Sequence, residues 1–287
     1  MDRDELSATG TAPPAAAPPA PPRRRLGRRQ RQRLVRLAGY AVFAAAAAAI
    51  GFGADWARLR AAFARTDIAA SMFPEIITVA LVNTLLFTVL AFAFGLLAGM
   101  ALALMRLSSI LPYRWFATAY IELFRGLPAL LVLFMVGFGV PLAFPDLQIA
   151  GGVYGSVALG LGLCAAAYMA ETLRAGIQAV PRGQLEAARS LGMSHARAMV
   201  SIVLPQALRI VIPPLTNEFI MLTKDTSLAY VLGVTATSIE VTKFAGDALN
   251  TRVNATPLVV AGFMYLLITL PLSQLVQRLE RRGAGRR

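Results

Sequence analysis

The sequence predicts an all-α membrane protein with about six membrane-crossing helices, on three observations. Of its 287 residues, 57% are apolar and 15% charged, with mean hydropathy +0.61, whereas soluble chains carry about 25% charged residues. The apolar residues gather in runs near the roughly 20 that cross a bilayer. Nearly all the charges, formally +13 net, sit at the ends of those runs, not on one basic face of a soluble fold, which argues against nucleic acid as a partner. The single cysteine, Cys164, lies inside a run, so no intrachain disulfide can form. With a single histidine, the chain offers no metal-ligand cluster and no cofactor site of that kind.

Residues 1–36 form a polar tail, expected to be disordered. "TAPPAAAPPAPP" has too little apolar surface to fold, and "RRRLGRRQRQRLVR" is a basic block suited to the cytoplasmic face and its anionic lipid headgroups. The first apolar run, 37–54, is alanine-rich and weakly hydrophobic. A basic block before a short apolar run is also the pattern of a cleaved signal peptide. The long flank, and the absence of a clean small-x-small cleavage site before Asp55 and Trp56, favour a retained helix. Residues 55–73 read as an external linker. Stronger runs follow at 74–105, 117–140, 151–177, about 206–230 and 257–276, and residues 278–287 form a second basic tail.

Six spans put both termini on one side. With the amino terminus inside, 22 arginines fall on the cytoplasmic side against five basic residues outside: Arg58, Arg60, Arg65, Lys243 and Arg252. The bias favours cytoplasmic termini.

Ionisable residues inside spans are costly and mark candidate functional positions. Glu122 and Arg125 are three apart, a spacing that pairs on a helix, and are placed near the cytoplasmic surface. Glu171 and Arg174 repeat that spacing. Asn83 and Thr84 fit either interhelical hydrogen bonding or the wall of a translocation path. Asn217 and Glu218 follow Pro213-Pro214, which frees backbone carbonyls, so a path role is open to them too. Thr223, Lys224 and Asp225, with Thr226 and Ser227, offer both signs of charge toward the outer end of that span. Such a cluster suits an amino acid, although snorkelling explains Lys224 nearly as well. Gly95/Gly99 and Gly151/Gly155 have the spacing of helix packing.

Between the fourth and fifth of these six predicted spans counted after the tail, the chain reads "EAARSLGMSHARAMVSIVLP" (186–205). Leu185, Ala188, Leu191, Gly192 and Met199 recur at roughly helical spacing, with a turn near Gly192. Such an amphipathic element either lies in the headgroup layer or docks into a groove of another protein. Ala187 and Ala188, beside Glu186, favour docking because they permit close backbone approach. A P-loop needs glycines ahead of its lysine. Lys224 follows "FIMLT" and Lys243 follows "SIEVT", so the chain is not expected to hydrolyse ATP. The same composition would also serve an ion-gradient-driven transporter, a channel, or a membrane scaffold that recruits a cytoplasmic protein.

The pattern Glu186-Ala187-Ala188, three residues, Gly192, nine residues, Ile202, one residue, Leu204-Pro205 resembles the EAA loop of bacterial ABC importer permeases. "YIELFRGLP" (120–128), "AETLRAGIQAVPRGQLEAARSLG" (170–192), "LPQALRIVIPPLTNEF" (204–219) and "KDTSLAYVLGV" (224–234) resemble the polar amino acid branch of that family. The resemblance covers about residues 70–277. It implies a five-helix permease core (74–277) with a cytoplasmic coupling loop at about 178–205, to which residues 37–54 add one extra helix. It also implies two separate ATPase subunits that use ATP and magnesium and grip Glu186, Ala187, Ala188, Leu191 and Gly192. The further partners would be a second permease copy or paralogue, an extracytoplasmic solute-binding protein, an amino acid substrate and membrane lipid. The setting would be a bacterial inner membrane.

Overall fold

A computed structural model describes residues 28–284; the first 27 residues of the tail expected over 1–36 and the last three residues of the chain lie outside it. The described residues are helical and contain no strand. The chain divides into two units, 1–56 and 57–287.

In the first unit, α1 (Arg28–Gly53) contains no buried residue. It begins within the arginine block, so Arg28–Arg36 is helical and not the disordered segment expected. Arginine, glutamine, leucine and alanine all favour helix, they make up most of Arg28–Ala49, and no proline interrupts them. Trp56 donates its indole N–H to the Gly51 carbonyl at 2.7 Å, closing the end.

The second unit holds the remaining elements. The expected linker instead forms two short helices, α2 (Trp56–Phe63) and α3 (Thr66–Ala70). Next come α4 (Ile76–Leu107), α5 (Leu111–Gly126), α6 (Ala129–Ala143) and α7 (Val153–Gln178). Beyond these lie α8 (Arg182–Ser190), α9 (His195–Leu232), α10 (Val241–Arg252) and α11 (Thr256–Ala284). Among the described residues five helices are long and apolar enough to cross a membrane, or six if α5 and α6 count as one broken span.

That break corrects the expectation of a straight span over 117–140. The axes of α5 and α6 differ by 105°. Pro128 has no N–H to offer the carbonyl of Phe124, and it forces the preceding residue into extended backbone; Leu127 accordingly has φ −93° and ψ 139°. The expected span from about Gln206 begins earlier, at His195, and α10 had no counterpart in the sequence reading.

α7 is the centre of the unit. More than half of its apolar stretch is buried, 56% against 33% for α4. α4 lies along it at close range. A Cβ added to Gly95 would stand 3.0 Å from the Ala165 Cβ, and one on Gly99 would stand 3.0 Å from the Ala166 carbonyl and the Met169 Cβ. In lipid, where hydrophobic burial gives little drive, such close backbone approach is what holds helices together. Phe87, Leu133, Leu161, Met169, Val211 and Leu222 extend this core to α6 and α9. Gly151 and Gly155 share the spacing of the first pair but not its role: Gly155 packs on the Ala150 carbonyl of its own turn.

Polar bonds fix both ends of the α4–α7 pair. Glu171 takes Arg174 at 2.8 Å from its own helix and Arg106 from the end of α4. The spacing of Glu171 and Arg174 does form a pair, and Arg106, distant in sequence, joins it through the packing of α4 on α7. At the far end the Tyr154 hydroxyl donates to Asn83 Oδ1 at 2.6 Å.

Candidate functional site

The first candidate region is the corner between α8 and α9. α8 packs Leu185 against Val180, Met199, Val203 and Ala207 and buries Ala188, leaving Glu186, Ala187 and Arg189 exposed. Ala188 therefore packs inside its own chain, and Ala187 alone of the alanine pair is presented outward. Leu191, expected on the same stripe as Leu185, has left the helix and is 86% exposed.

The corner is built by hydrogen bonds. Gly192 has φ +84°, the left-handed conformation that ends helices and that glycine adopts without steric cost. Its N–H reaches the Arg189 carbonyl at 3.0 Å, and the N–H of Met193 reaches the Ala188 carbonyl at 3.2 Å. This pair of bonds is the Schellman helix ending. Two residues later the Ser194 hydroxyl accepts from the Arg197 N–H at 3.3 Å, capping α9. Gly192 and Ser194 thus reverse the chain with few backbone groups left over, and Leu191 stands at the tip.

The second region surrounds Asn83 and Thr84, 4% and 0% exposed. The Asn83 amide donates to the carbonyls of Thr237 and Ile239 at 2.9 and 3.0 Å while its oxygen accepts from Tyr154. Thr84 donates to Ala80 within α4 and accepts the Val241 N–H at 3.2 Å. These two side chains thereby hold the strap from Gly233 to Glu240 against α4.

Glu240, absent from the sequence reading, completes that arrangement. It is fully buried and caps α10, accepting the N–H groups of Thr242 (2.5 Å) and Lys243 (2.6 Å). The Tyr265 hydroxyl of α11 donates to it at 3.3 Å. Burial pushes its pKa above the ordinary glutamate value, while the two N–H bonds pull the other way. Glutamate is not a favoured cap residue, so the pattern "SIEVTK" carried no signal for it.

The remaining candidates do not gather at one point. On α9, Asn217 and Lys224 are exposed while Glu218 and Asp225 are half-buried. Neither carboxylate pairs with Lys224, whereas Lys243 pairs with Asp247 on α10. Thr223 is buried and donates to the Phe219 carbonyl of its own helix at 2.9 Å.

Glu122 is exposed on α5, and the expected pair with Arg125 does not form. The Arg125 guanidinium instead lies 5.6 Å over the Tyr168 ring, a cation–π contact. Tyr120 donates to the Leu163 carbonyl at 2.9 Å, so this part of α5 lies beside the middle of α7.

Residues 91–284 match the family model described as "Binding-protein-dependent transport system inner membrane component". The "Probable glutamine ABC transporter permease protein GlnM" of Bacillus subtilis (strain 168) is 42% identical over 200 residues, covering 70% of this chain and 89% of that protein. The glutamate/aspartate import permease protein GltK of Escherichia coli O157:H7 is 42% identical over 211 residues, covering 71% and 92%. A crystal structure of an amino acid ABC transporter with histidines aligns with TM-score 0.65 at 36% identity, over 74% of this chain and 96% of that one. The MetNI methionine ABC transporter, at 19% identity and TM-score 0.53, shares the fold.

Proposed function

We propose, from the premise that this chain belongs to the binding-protein-dependent transport system inner membrane component family, that it is the permease subunit of an ATP-driven importer of polar amino acids. It carries substrate across the bacterial inner membrane by alternating access. Two separate ATPase subunits, using ATP and magnesium, seat the α8–α9 corner in their clefts through Glu186, Ala187, Leu191 and Gly192, with Ala188 supporting from beneath. An extracytoplasmic solute-binding protein delivers the substrate, and a second permease completes the path. Both termini lie in the cytoplasm, consistent with the arginine bias. Along the path, Glu122, Asn217, Glu218, Lys224 and Asp225 offer polar surface, while Asn83, Thr84 and Thr223 set the helices that carry it.

The observation that carries this reading is the corner itself. A leucine 86% exposed at the tip of a hydrogen-bonded turn is a poor feature for a free cytosolic surface and a good one for a groove-bound element. A short helix held in a groove passes on force that a flexible loop would lose.

The test is reconstitution of the chain with its co-purifying subunits in proteoliposomes, followed by labelled amino acid uptake. Uptake should follow ATP on the ATPase side and persist with ionophores. Uptake that collapses with an ion gradient and ignores ATP would replace this reading with a secondary transporter or channel. A complete absence of solute flux would leave the scaffold.

A further inference from the structure

α4 and α7 run parallel, since Asn83 meets Tyr154, Gly99 meets Ala166 and Arg106 meets Glu171. Arg106, in the last turn of α4, therefore lies at the end of the pair from which α7 leads into the α8–α9 corner. There it bonds one carboxylate oxygen of Glu171, while the other oxygen takes Arg174. Arg174 in turn donates to Gln178 Oε1 at 2.7 Å. Gln178 is the last residue of α7, two before Val180, which packs with Val203 and Ala207 in the apolar cluster of the corner. A line of bonds thus runs from the foot of α4 to the base of the corner.

That line joins parts that are otherwise separate at this end. Among the described residues, the apolar cluster of the corner draws on the exit of α7, on α8 and on α9, and on nothing in α4. α7 is fixed to α9 here, because Gly176 leaves no room for a Cβ against Val211. Gly95 and Gly99 hold α4 against α7 further along, by close packing that opposes separation but has little directionality. Two arginines on one carboxylate do have direction, through charge-assisted bonds of defined geometry. Arg106 and Glu171 are 26% and 23% exposed, so theirs is not the fully wet kind of pair that contributes little. α4 is helical from Ile76 to Leu107, so a displacement of its inner end is carried to Asn83 and Thr84, which hold the strap.

We propose that Arg106 is a positioning residue for transport: through Glu171 and Arg174 it makes α4 follow the α8–α9 corner, so that movement imposed on the corner reaches the translocation path. The inference rests on the permease reading and deepens it by naming the link between the corner and α4. Bonded networks of this kind carry coupling between distant sites, and a measured coupling is what establishes one.

The test measures labelled amino acid taken up per ATP hydrolysed, in proteoliposomes holding the full-length chain with its co-purifying subunits. Arg106→Ala leaves Glu171 paired with Arg174 at 2.8 Å, so no carboxylate is stranded. It should lower that ratio about tenfold while ATP hydrolysis and recovery of the assembly stay within about twofold of the parent's. Arg106→Lys, which keeps the charge, should recover about a third of the parent ratio or more. Adding Glu171→Gln to Arg106→Ala should cost no more than the worse of the two alone, since partners in one network are not additive. The alanine and lysine pair carries the test even where Glu171→Gln is poorly folded. An unchanged ratio in Arg106→Ala, including one in which uptake and hydrolysis fall together with the thermal midpoint, would overturn the proposal. So would losses that add in the double variant, or no recovery with lysine. Uptake by the parent that ignores ATP removes the permease reading itself, whereas ATP-driven uptake by the parent with an unchanged ratio in Arg106→Ala removes only this inference.

Discussion

Tyr154 on α7 donates its hydroxyl hydrogen to the side-chain oxygen of Asn83 on α4 at 2.6 Å, and this bond decides which way the Asn83 amide points. With the oxygen engaged, both amide hydrogens face the carbonyls of Thr237 and Ile239. One side chain thereby joins two helices and a strap more than 150 residues distant in sequence.

Replacing Asn83 by leucine keeps the volume and removes all three bonds. Each buried group left unpaired costs about 1–3 kcal/mol, so the thermal midpoint should drop and amide exchange over residues 233–241 should quicken by at least tenfold. Unchanged exchange there would show that the strap is held by other means.

At Gly192 the left-handed backbone is the constraint, because among the described residues nothing beyond its two chain neighbours stands within 4 Å of where a Cβ would be. Alanine should cost about 1–2 kcal/mol, asparagine less because it tolerates this region, and proline most. ATP-driven uptake should follow the order glycine, asparagine, alanine, proline at equal membrane insertion. A different order would mean that side-chain contact, not turn geometry, matters at this position.

Leu191 offers the opposite experiment. As it is 86% exposed, Leu191→Ser should leave the thermal midpoint of the isolated permease unchanged. Burying a leucine is worth about 1.5–3 kcal/mol, so ATPase subunits should bind about 10–100-fold more weakly, measured by titration in detergent or nanodiscs. Full affinity would remove Leu191 from the contact.

Glu240 predicts a pH dependence. Its folded pKa lies above the ordinary value, so the folded state holds a proton that the unfolded state releases. The associated stability is complete below the ordinary glutamate pKa and is lost as pH rises through the raised one. The thermal midpoint should fall across that window, and Glu240→Gln should flatten the dependence. A midpoint that instead rises with pH there would mean that the N–H bonds from Thr242 and Lys243 outweigh burial.

Much of this architecture is legible in the chain itself. The apolar runs mark all five of the long helices among the described residues, the glycine at 192 marks the turn, and the Gly95/Gly99 spacing marks the α4–α7 contact. What is hidden has physical reasons. Hydropathy averages over Gly126-Leu127-Pro128 because the strongly apolar Ala129–Val136 masks the charges of Glu122 and Arg125 in one window, so a span with a 105° bend reads as a straight one. Pairing rules treat residues three apart as partners, but Arg125 has a third option in Tyr168, which belongs to another helix. The stripe of Leu185, Ala188 and Leu191 is continuous on a helical wheel, yet the helix ends at Ser190 and the last member swings outward. Glu240 could not be found at all. Its burial depends on Tyr265, which reaches it only through the tertiary fold.

The corner at Leu191–Ser194 arrives at any binding partner already shaped. Its backbone is tied by the Gly192–Arg189, Met193–Ala188 and Arg197–Ser194 bonds before any encounter, so association need not freeze a wandering loop, the usual entropic toll of recognition by loops. Such a surface should engage at a rate set by collision and orientation, with affinity determined afterward by how fast it lets go.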